Sequence, residues 1–328
     1  MIYPKFLKKG DTVGVCAPSA GIHEKDFADF DLSLSRLTDE GYLIKETENV
    51  RTGLIESSPP HVRGREFNQL IKDRDVDAVI CATGGDFLIS MLPYVDYDAI
   101  AADPKWVQGY SDPTSLLYSI TTKLDIATIY GVNAGGFWTE PLHRSVEDGL
   151  KLLRGEIPVQ DSFELFEKDR SGRQGSYNLT EKVNWICPNG DFTAKGRLIG
   201  GCLDCITDVF GTRFDGTKEF LERYKEDGFI WYFDIFSLRA EQVYITLFKM
   251  RESGYFEGAK GFIFGRVCFP NTYAEMTYEE AAKSILGDAP MVFEADVGHV
   301  PPKFTIINGA VGELTCKDGK GHLEMTLE

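Results

Sequence analysis

The chain is poor in positive charge. Its 328 residues include 35 Lys and Arg against 51 Asp and Glu, which gives a formal net charge of −16. Because nucleic acids and anionic membranes select basic patches, this balance argues against both as partners and favours a small-molecule or peptide substrate. No apolar run approaches the length of a membrane span, and the N-terminus, MIYPKFLKKGD, lacks the apolar stretch of a secretory signal. We therefore expect a cytoplasmic protein.

Cysteine is too sparse and too irregular for a disulfide framework. The seven cysteines are an odd number scattered along the chain, which is typical of reduced thiols. Cys202 and Cys205 form one C-x-x-C, but a structural zinc site needs about four ligands and no second pair lies nearby in the sequence. We therefore predict helix or core residues here rather than metal ligands or a redox pair.

Nucleotide-binding signatures are also missing. The first half alternates apolar runs with helical spacing, which predicts a parallel sheet with helices on both faces. The predicted strands are Thr12–Ala17, Tyr42–Thr47, Asp77–Ala82, Trp106–Tyr110 and Ala127–Gly131. Because no G-x-G-x-x-G follows the first strand and no P-loop occurs, nucleotide binding by this sheet loses most of its support. Ligands of such sheets bind beyond the carboxyl ends of the strands, where Gly84-Gly85-Asp86 and Ser111-Asp112 are expected.

The second half of the chain has a different pattern. Residues 156–185 are polar and contain Gly and Ser, which indicates a linker or long loop. The elements predicted after it are helices near Leu198–Phe210 and over Ala240–Met250, strands Gly228–Phe236, Gly261–Gly265 and Met291–Ala295, and a hairpin turning at Asp318–Gly321. We predict an N-terminal α/β domain over residues 1–165, a linker or long loop over 166–190, and a strand-rich mixed α/β domain over 191–328.

The stretch WVQGYSDPTSLLYSITT, from Trp106 to Thr122, carries the most informative turn. Here a strand enters a helix through Gly109-Tyr110-Ser111-Asp112-Pro113. Pro113 fits the first turn of a helix, so Ser111 or Asp112 can be a plain helix cap. Alternatively, the turn presents the Ser111 hydroxyl as a nucleophile, close to N–H groups that stabilise an oxyanion. Both interpretations stay open, since G-Y-S-D-P is not the G-x-S-x-G motif.

A serine nucleophile needs a base, and the chain has only five histidines. His322 lies in the predicted hairpin, and His61 and His143 lie near prolines in predicted loops. His23 follows the first strand, and His299 lies in the Gly- and Pro-framed loop ADVGHVPPKF. Spacing alone does not choose between His23 and His299.

Six segments together resemble the LD-carboxypeptidase family of serine peptidases, which includes the microcin C immunity proteins. They are GDTVGVCAPSAG, CATGGDFLISMLPYVDYDAI, VQGYSDPTSLL, GRLIGGCLDCI, GFIWYFDIFSLRAEQV and ADVGHVPPKFTIINGA. They occur in this order and span nearly the whole chain. The resemblance implies a parallel α/β N-terminal domain, a barrel-like C-terminal domain, a homodimer, and no metal or organic cofactor.

The resemblance also implies roles for residues. The nucleophile motif falls on Ser111 and the histidine motif on His299, while the oxyanion donors would be the backbone N–H groups of Gly85 and Asp112. Relatives carry a Glu that orients the histidine, at the strand end where this chain has an Asp, Asp234. We predict Asp234 as the third triad member, because Ser-His-Asp works elsewhere.

One alternative to Asp234 is Glu241, on the following helix. The substrate also stays open between two branches of the family. One branch removes a terminal D-amino acid from murein tetrapeptide in peptidoglycan recycling, and this is the activity we predict. The immunity branch cleaves an aminoacyl-sulfamoyl-adenylate and carries a Trp that stacks on adenine. Trp185, in KVNWICPNGDFTAKGRLIGGC, is either that residue or a core aromatic. A catalytically silent binding protein is a third alternative.

Overall fold

The structure, a computed structural model, describes residues 1–171 and 174–328. The chain divides into two compact units, of which the first contains Met1–Pro158 and Thr305–Asn308 and the second contains Tyr177–Phe304 and Gly309–Glu328. The stretch predicted as a linker, residues 166–190, carries short strands of its own, and two of its residues, 172 and 173, lie outside the described residues. The first continuous segment of the first unit ends at Pro158, whereas the sequence predicts a domain over residues 1–165.

The secondary structure alternates along most of the chain. The helices are α1 (Phe27–Asp39), α2 (Pro60–Lys72), α3 (Tyr97–Ala102), α4 (Thr114–Leu124), α5 (Arg144–Leu153), α6 (Leu203–Val209), α7 (Thr217–Arg223), α8 (Ala240–Glu252) and α9 (Tyr278–Leu286). The strands are β1 (Thr12–Cys16), β2 (Leu43–Glu46), β3 (Ala78–Cys81), β4 (Trp106–Gly109), β5 (Thr128–Tyr130), β6 (Gln160–Asp161), β7 (Leu165–Phe166), β8 (Glu181–Lys182), β9 (Phe192–Cys202), β10 (Phe229–Asp234), β11 (Ala259–Gly265), β12 (Met291–Ala295), β13 (Ile306–Asn308), β14 (Val311–Lys317) and β15 (Lys320–Thr326). Within the described ranges, none of the helices is both long and apolar enough to cross a membrane.

The first unit is built on a six-stranded sheet with the order β13-β5-β4-β3-β1-β2. Strands β1 to β5 pair in parallel, as the alternating pattern predicts, and β13 pairs antiparallel with β5. Each residue of β3 is buried, which fits a parallel strand covered on both faces. Because β1, β3 and β4 are neighbours, the loops that follow them meet at one edge of the sheet.

The second unit is built on a seven-stranded mixed sheet with the order β12-β11-β10-β9-β14-β15-β6. Strands β9 to β12 are parallel, and β14, β15 and β6 are antiparallel. The expectation of a barrel-like C-terminal domain needs correction. A barrel would require the two edge strands, β12 and β6, to pair with each other, and in the part of the chain that the structure describes they do not, so the sheet is open. The hairpin of β14 and β15 extends the sheet beyond β9, and Phe293 of β12 also forms an isolated antiparallel bridge with Ile186.

The predicted helix near Leu198–Phe210 is wrong in its first part. Residues up to Cys202 belong to β9, and the helix α6 covers only Leu203–Val209. A Cβ atom on Gly200 would lie 1.9 Å from the carbonyl oxygen of Tyr232 on β10. Glycine is therefore needed for the close approach of the two backbones, which the sequence pattern did not distinguish from a helix start.

The expectation that every thiol is reduced is also wrong for one pair. Cys187 and Cys316 form a disulfide, and they lie 129 residues apart in the sequence. The pairing of β14 with β9 places Cys316 opposite Phe192, which brings it near the segment before β9. Such a pairing depends on the sheet order and has no signature in cysteine spacing. The other five cysteines are free thiols.

Candidate active site

Ser111 lies in a strained turn between β4 and α4. Its backbone has φ of +68°, a left-handed conformation that is uncommon for residues other than glycine. Such strain is often associated with functional sites, and a nucleophile on a strand-to-helix turn is one such case. The N-cap of α4 is Pro113, without a side-chain cap, so Ser111 lies two residues before the cap position. The geometry therefore favours the nucleophile interpretation over the plain helix cap.

The Gly84-Gly85 loop packs directly against this turn. A Cβ atom on Gly84 would lie 2.9 Å from both Cβ and Oγ of Ser111. Gly85 has φ of +148°, and a Cβ atom there would lie 2.2 Å from Ser19 Oγ. Only glycine fits at these positions. The loops after β1, β3 and β4 thus meet as expected, and Gly85, Ser111 and Asp112 lie together in the first unit.

The side chain of Asp112 joins these three loops. Its Oδ2 accepts hydrogen bonds from the hydroxyl of Ser19 and from the backbone N–H of Leu88, the latter at 2.8 Å. Burial raises the pKa of Asp112, while the hydrogen bond from Ser19 lowers it. The carboxylate thus holds the loops in place, and its own backbone N–H is the group predicted to bind an oxyanion.

Arg63, on α2, is a supporting residue that the sequence analysis missed. Its buried guanidinium donates hydrogen bonds to the carbonyl oxygens of Pro18 at 2.9 Å and Phe87 at 3.0 Å. It also donates to Glu56 Oε2 at 2.6 Å, and burial lowers its pKa. Arg63 therefore links the loops after β1 and β3. No local signal distinguishes this arginine from a solvent-exposed one in a helix.

In the second unit, His299 and Asp234 form a buried pair. His299 Nδ1 lies 2.7 Å from Asp234 Oδ2, and the backbone N–H of His299 donates to Asp234 Oδ1 at 3.2 Å. Asp234 is 0% and His299 7% exposed. Gly298 has φ of +102°, and a Cβ atom on it would lie 2.1 Å from Asp234 Oδ1. Asp234 therefore reaches the imidazole although it is shorter than the Glu of relatives. The backbone of Gly298 leaves no space beside the Asp234 carboxylate on that side.

Two further contacts hold His299, one to its ring and one to its backbone. Its imidazole packs against Phe236, with ring centroids 4.6 Å apart. Arg170 donates a hydrogen bond to the carbonyl oxygen of His299 at 2.9 Å. His23, the other candidate base, is exposed before a short 3₁₀ turn in the first unit. The geometry thus favours His299 as the oriented histidine.

Glu241 serves a different loop. Its Oε1 accepts hydrogen bonds from Thr272 Oγ1 at 2.6 Å and from the backbone N–H groups of Tyr273 and Ala274 at 3.0 and 2.7 Å. These contacts, the Thr272 hydroxyl first, lower the pKa of Glu241 to about 2. The carboxylate therefore stabilises the loop between β11 and α9, and the geometry favours Asp234 over Glu241 as the partner of His299.

Trp185 is a core residue of the second unit. It is 2% exposed, and its indole N–H donates to Asp296 Oδ2 at 3.0 Å. Its ring centroid lies 5.8 Å from that of Phe304, and a Cβ atom on Gly321 would lie 2.1 Å from the indole. This packing favours the core alternative, because the indole has no exposed face for a base.

Two family models match the chain. The model described as the LD-carboxypeptidase N-terminal domain matches residues 13–131, and the one described as the LD-carboxypeptidase C-terminal domain matches residues 195–314. Among solved structures, the microcin C7 self-immunity protein MccF in its ligand-free wild-type form has a TM-score of 0.80 at 23% identity, with 100% of this chain and 99% of that chain covered. An MccF-like protein from Bacillus anthracis has a TM-score of 0.81 at 23% identity, with both chains covered completely.

Three relatives extend the comparison at the level of sequence. A carboxypeptidase-named protein of Vibrio cholerae is 26% identical over 341 residues, which cover 96% of this chain and 95% of its own. The microcin C7 self-immunity protein MccF of Escherichia coli is 30% identical over 239 residues, or 63% of each chain. The Bacillus subtilis protein named "Probable murein peptide carboxypeptidase" is 27% identical over 230 residues, which cover 68% of this chain and 66% of its own. Since the two models match most of both halves, the chain belongs to the LD-carboxypeptidase family.

Proposed function

We propose that the protein is a serine-type LD-carboxypeptidase that hydrolyses the amide bond between an L- and a terminal D-amino acid. Ser111 is the nucleophile, His299 the base and Asp234 the third triad member. The observation that carries the proposal is the 2.7 Å contact of Nδ1 of His299 with Asp234. The left-handed turn at Ser111 supports it. The family's murein peptide relative supports the choice of substrate.

The reaction is an acyl transfer to water in two halves. Ser111 Oγ attacks the carbonyl carbon while Nε2 of His299 accepts the hydroxyl proton. The backbone N–H groups of Gly85 and Asp112 donate to the oxyanion that forms. As the amide C–N bond breaks, His299 returns the proton to the leaving D-amino acid, and an ester remains on Ser111. Water, deprotonated by His299, then hydrolyses this ester.

Asp234 contributes orientation and charge. Its contact with Nδ1 favours the tautomer that carries the ring proton on Nδ1, in which the Nε2 lone pair can accept the proton of Ser111. When the ring becomes an imidazolium, the carboxylate stabilises it. Because Asp234 is fully buried, this interaction is screened by water much less than a surface pair is.

A second candidate activity is the hydrolysis of aminoacyl-sulfamoyl nucleotides by the same triad. It is favoured by the 30% identity with the microcin C7 self-immunity protein MccF. Solved structures of that protein contain aspartyl sulfamoyl adenosine or glutamyl sulfamoyl guanosine. The core position of Trp185 gives no support to adenine stacking by this residue in this chain.

The two activities are separated by assaying one preparation on a murein tetrapeptide ending in D-Ala and on aspartyl sulfamoyl adenosine. We expect release of D-Ala, and no release from the folded Ser111→Ala variant. Hydrolysis of the sulfamoyl conjugate alone would replace the first proposal with the second. If neither substrate reacts and an acylating serine probe leaves Ser111 unlabelled, the protein is a binding homologue and both proposals fail.

A further inference from the structure

Beside the His299–Asp234 pair lies a thiol that the proposed reaction does not use. Cys202 ends β9, and its Cα lies opposite that of Asp234 in the parallel pairing of β9 with β10. All three side chains are buried. One ligand atom from each of Cys202, Asp234 and His299 lies within 4.8 Å of the other two. We call these three residues the thiol–imidazole–carboxylate trio.

The trio has the composition of a zinc site. Thiolate sulfur binds Zn²⁺ at about 2.3 Å, and imidazole nitrogen and carboxylate oxygen bind it at about 2.0–2.2 Å. In a tetrahedral site, these bond lengths place sulfur and nitrogen ligands about 3.5 Å apart. The observed upper limit of 4.8 Å is therefore about 1 Å longer than the separation in a metal-bound site, and the side chains must close this difference when the ion binds.

A second thiol and a second carboxylate reinforce the site. Cys205, a half-buried free thiol in the first turn of α6, follows Cys202 by three residues. Asp204 Oδ2 lies 3.9 Å from Cys202 Sγ, although this carboxylate also accepts N–H groups of the loop after β10. Two thiols, an imidazole and a carboxylate are enough donors for a four-coordinate ion.

We propose that the trio, with Cys205 as a fourth donor, binds a soft divalent cation such as Zn²⁺ or Cd²⁺ and that this binding inhibits the hydrolase. Each thiol that coordinates the ion loses its proton to the solvent. A neutral imidazole carries one N–H, so when Nδ1 donates its lone pair to the ion, the ring proton must lie on Nε2. His299 then cannot accept the proton of Ser111. The inhibition rests on the proposed function, whereas the binding of the cation does not depend on it.

The binding test uses Cd²⁺ and the ultraviolet absorption of thiolate-to-cadmium charge transfer. The reduced protein is titrated, and Cys202→Ser is compared with Cys268→Ser, which removes a half-buried thiol outside the trio. Loss of a residue that only hydrogen-bonds to a metal ligand can weaken metal affinity by up to about 100-fold. Loss of a ligand itself should therefore weaken Cd²⁺ binding by about 100-fold or more. We expect this loss for Cys202→Ser and little change for Cys268→Ser. Cys205→Ser should bind with a weaker charge-transfer band.

The inhibition test adds Zn²⁺ to the hydrolysis assay and then a chelator. We expect wild-type activity to be lost and restored, while Cys202→Ser, relative to its own baseline, resists the same Zn²⁺ concentration. Unchanged Cd²⁺ affinity in a folded Cys202→Ser protein would overturn the site. If Cys202→Ser does not fold, the Cys205→Ser protein serves as the test. A charge-transfer band that is the same as in the wild type would then overturn the proposed site. Binding of Cd²⁺ without hydrolysis of either substrate would keep the site and refute the proposed function, and hydrolysis indifferent to bound Zn²⁺ would refute the inhibition.

Discussion

Lengthening Asp234 tests whether the proposed catalytic pair, His299 and Asp234, is adapted to an aspartate. The carboxylate is fully buried, lies 2.7 Å from His299 Nδ1, and is closed off by Gly298, on which a Cβ atom would lie 2.1 Å from Oδ1. Asp234→Glu adds one C–C bond of about 1.5 Å. The imidazole must therefore move, and a displacement of about 1 Å can cost about 10²-fold in rate. We expect kcat to fall by about that factor.

Asp234→Asn removes the charge while keeping the size. The amide can bias the imidazole toward the wrong tautomer and leaves the imidazolium without a counter-charge. The comparable change in another serine-hydrolase triad lowers kcat by about 10⁴, which corresponds to about 5.4 kcal/mol of transition-state stabilisation. We therefore expect Asn to be more damaging than Glu at this position.

Both variants are assayed for kcat and KM on the substrate that the wild type prefers, with thermal melts to confirm folding and Glu241→Gln as a matched carboxylate control. A rise in kcat for Asp234→Glu would mean that the site is still built for glutamate. If kcat is indifferent to both Asn and Glu, Asp234 is not in the triad, and Glu241 becomes the next candidate.

Substrate stereochemistry, metal dependence, Trp185 and Glu241 offer further tests. A peptide ending in D-Ala should be cleaved and its L-Ala counterpart spared; equal rates would indicate a different amidase. A chelator should leave hydrolysis intact, and a loss that added metal restores would contradict a metal-free mechanism. Trp185→Ala should lower the free energy of unfolding by about 3–5 kcal/mol and affect both substrate classes equally; a selective loss on sulfamoyl-adenylates would restore the stacking role. Glu241→Gln should lower the melting temperature at pH 7. Since the pKa of Glu241 is depressed from 4.5 to about 2, this stabilisation is present above about pH 4.5 and is lost as the pH falls through about 2. A melting difference that stays constant over this range would refute the prediction.

The strands of the first unit could be predicted because each is a short apolar run bounded by turn residues. β13 could not, because its three residues pair with β5 only after the chain has passed through the second unit. The start of α6 was misplaced because the Gly-rich end of β9 has no alternation to mark it as a strand. The disulfide between Cys187 and Cys316 depends on strand order, which cysteine spacing does not encode.

For the proposed site, motif resemblance singled out Ser111 and His299 as candidates, but their surroundings required coordinates. His299 and Asp234 lie 65 residues apart, so their contact follows from the arrangement of the loop after β12 and the end of β10. The hydrogen bonds of Arg63 to two loops of the candidate site likewise have no sequence signature. The core position was one of two open alternatives for Trp185, and its burial favours that alternative.

Covalent catalysis by Ser111 can be tested by the turnover of Ser111→Ala together with mass spectrometry of the acylated protein. We expect wild-type protein trapped with substrate or an acylating probe to carry one adduct on the peptide containing Ser111. Ser111→Ala should fold normally and lose turnover by about 10⁴-fold or more. Substantial hydrolysis by the folded variant, or an adduct on another residue, would show that Ser111 is not the nucleophile.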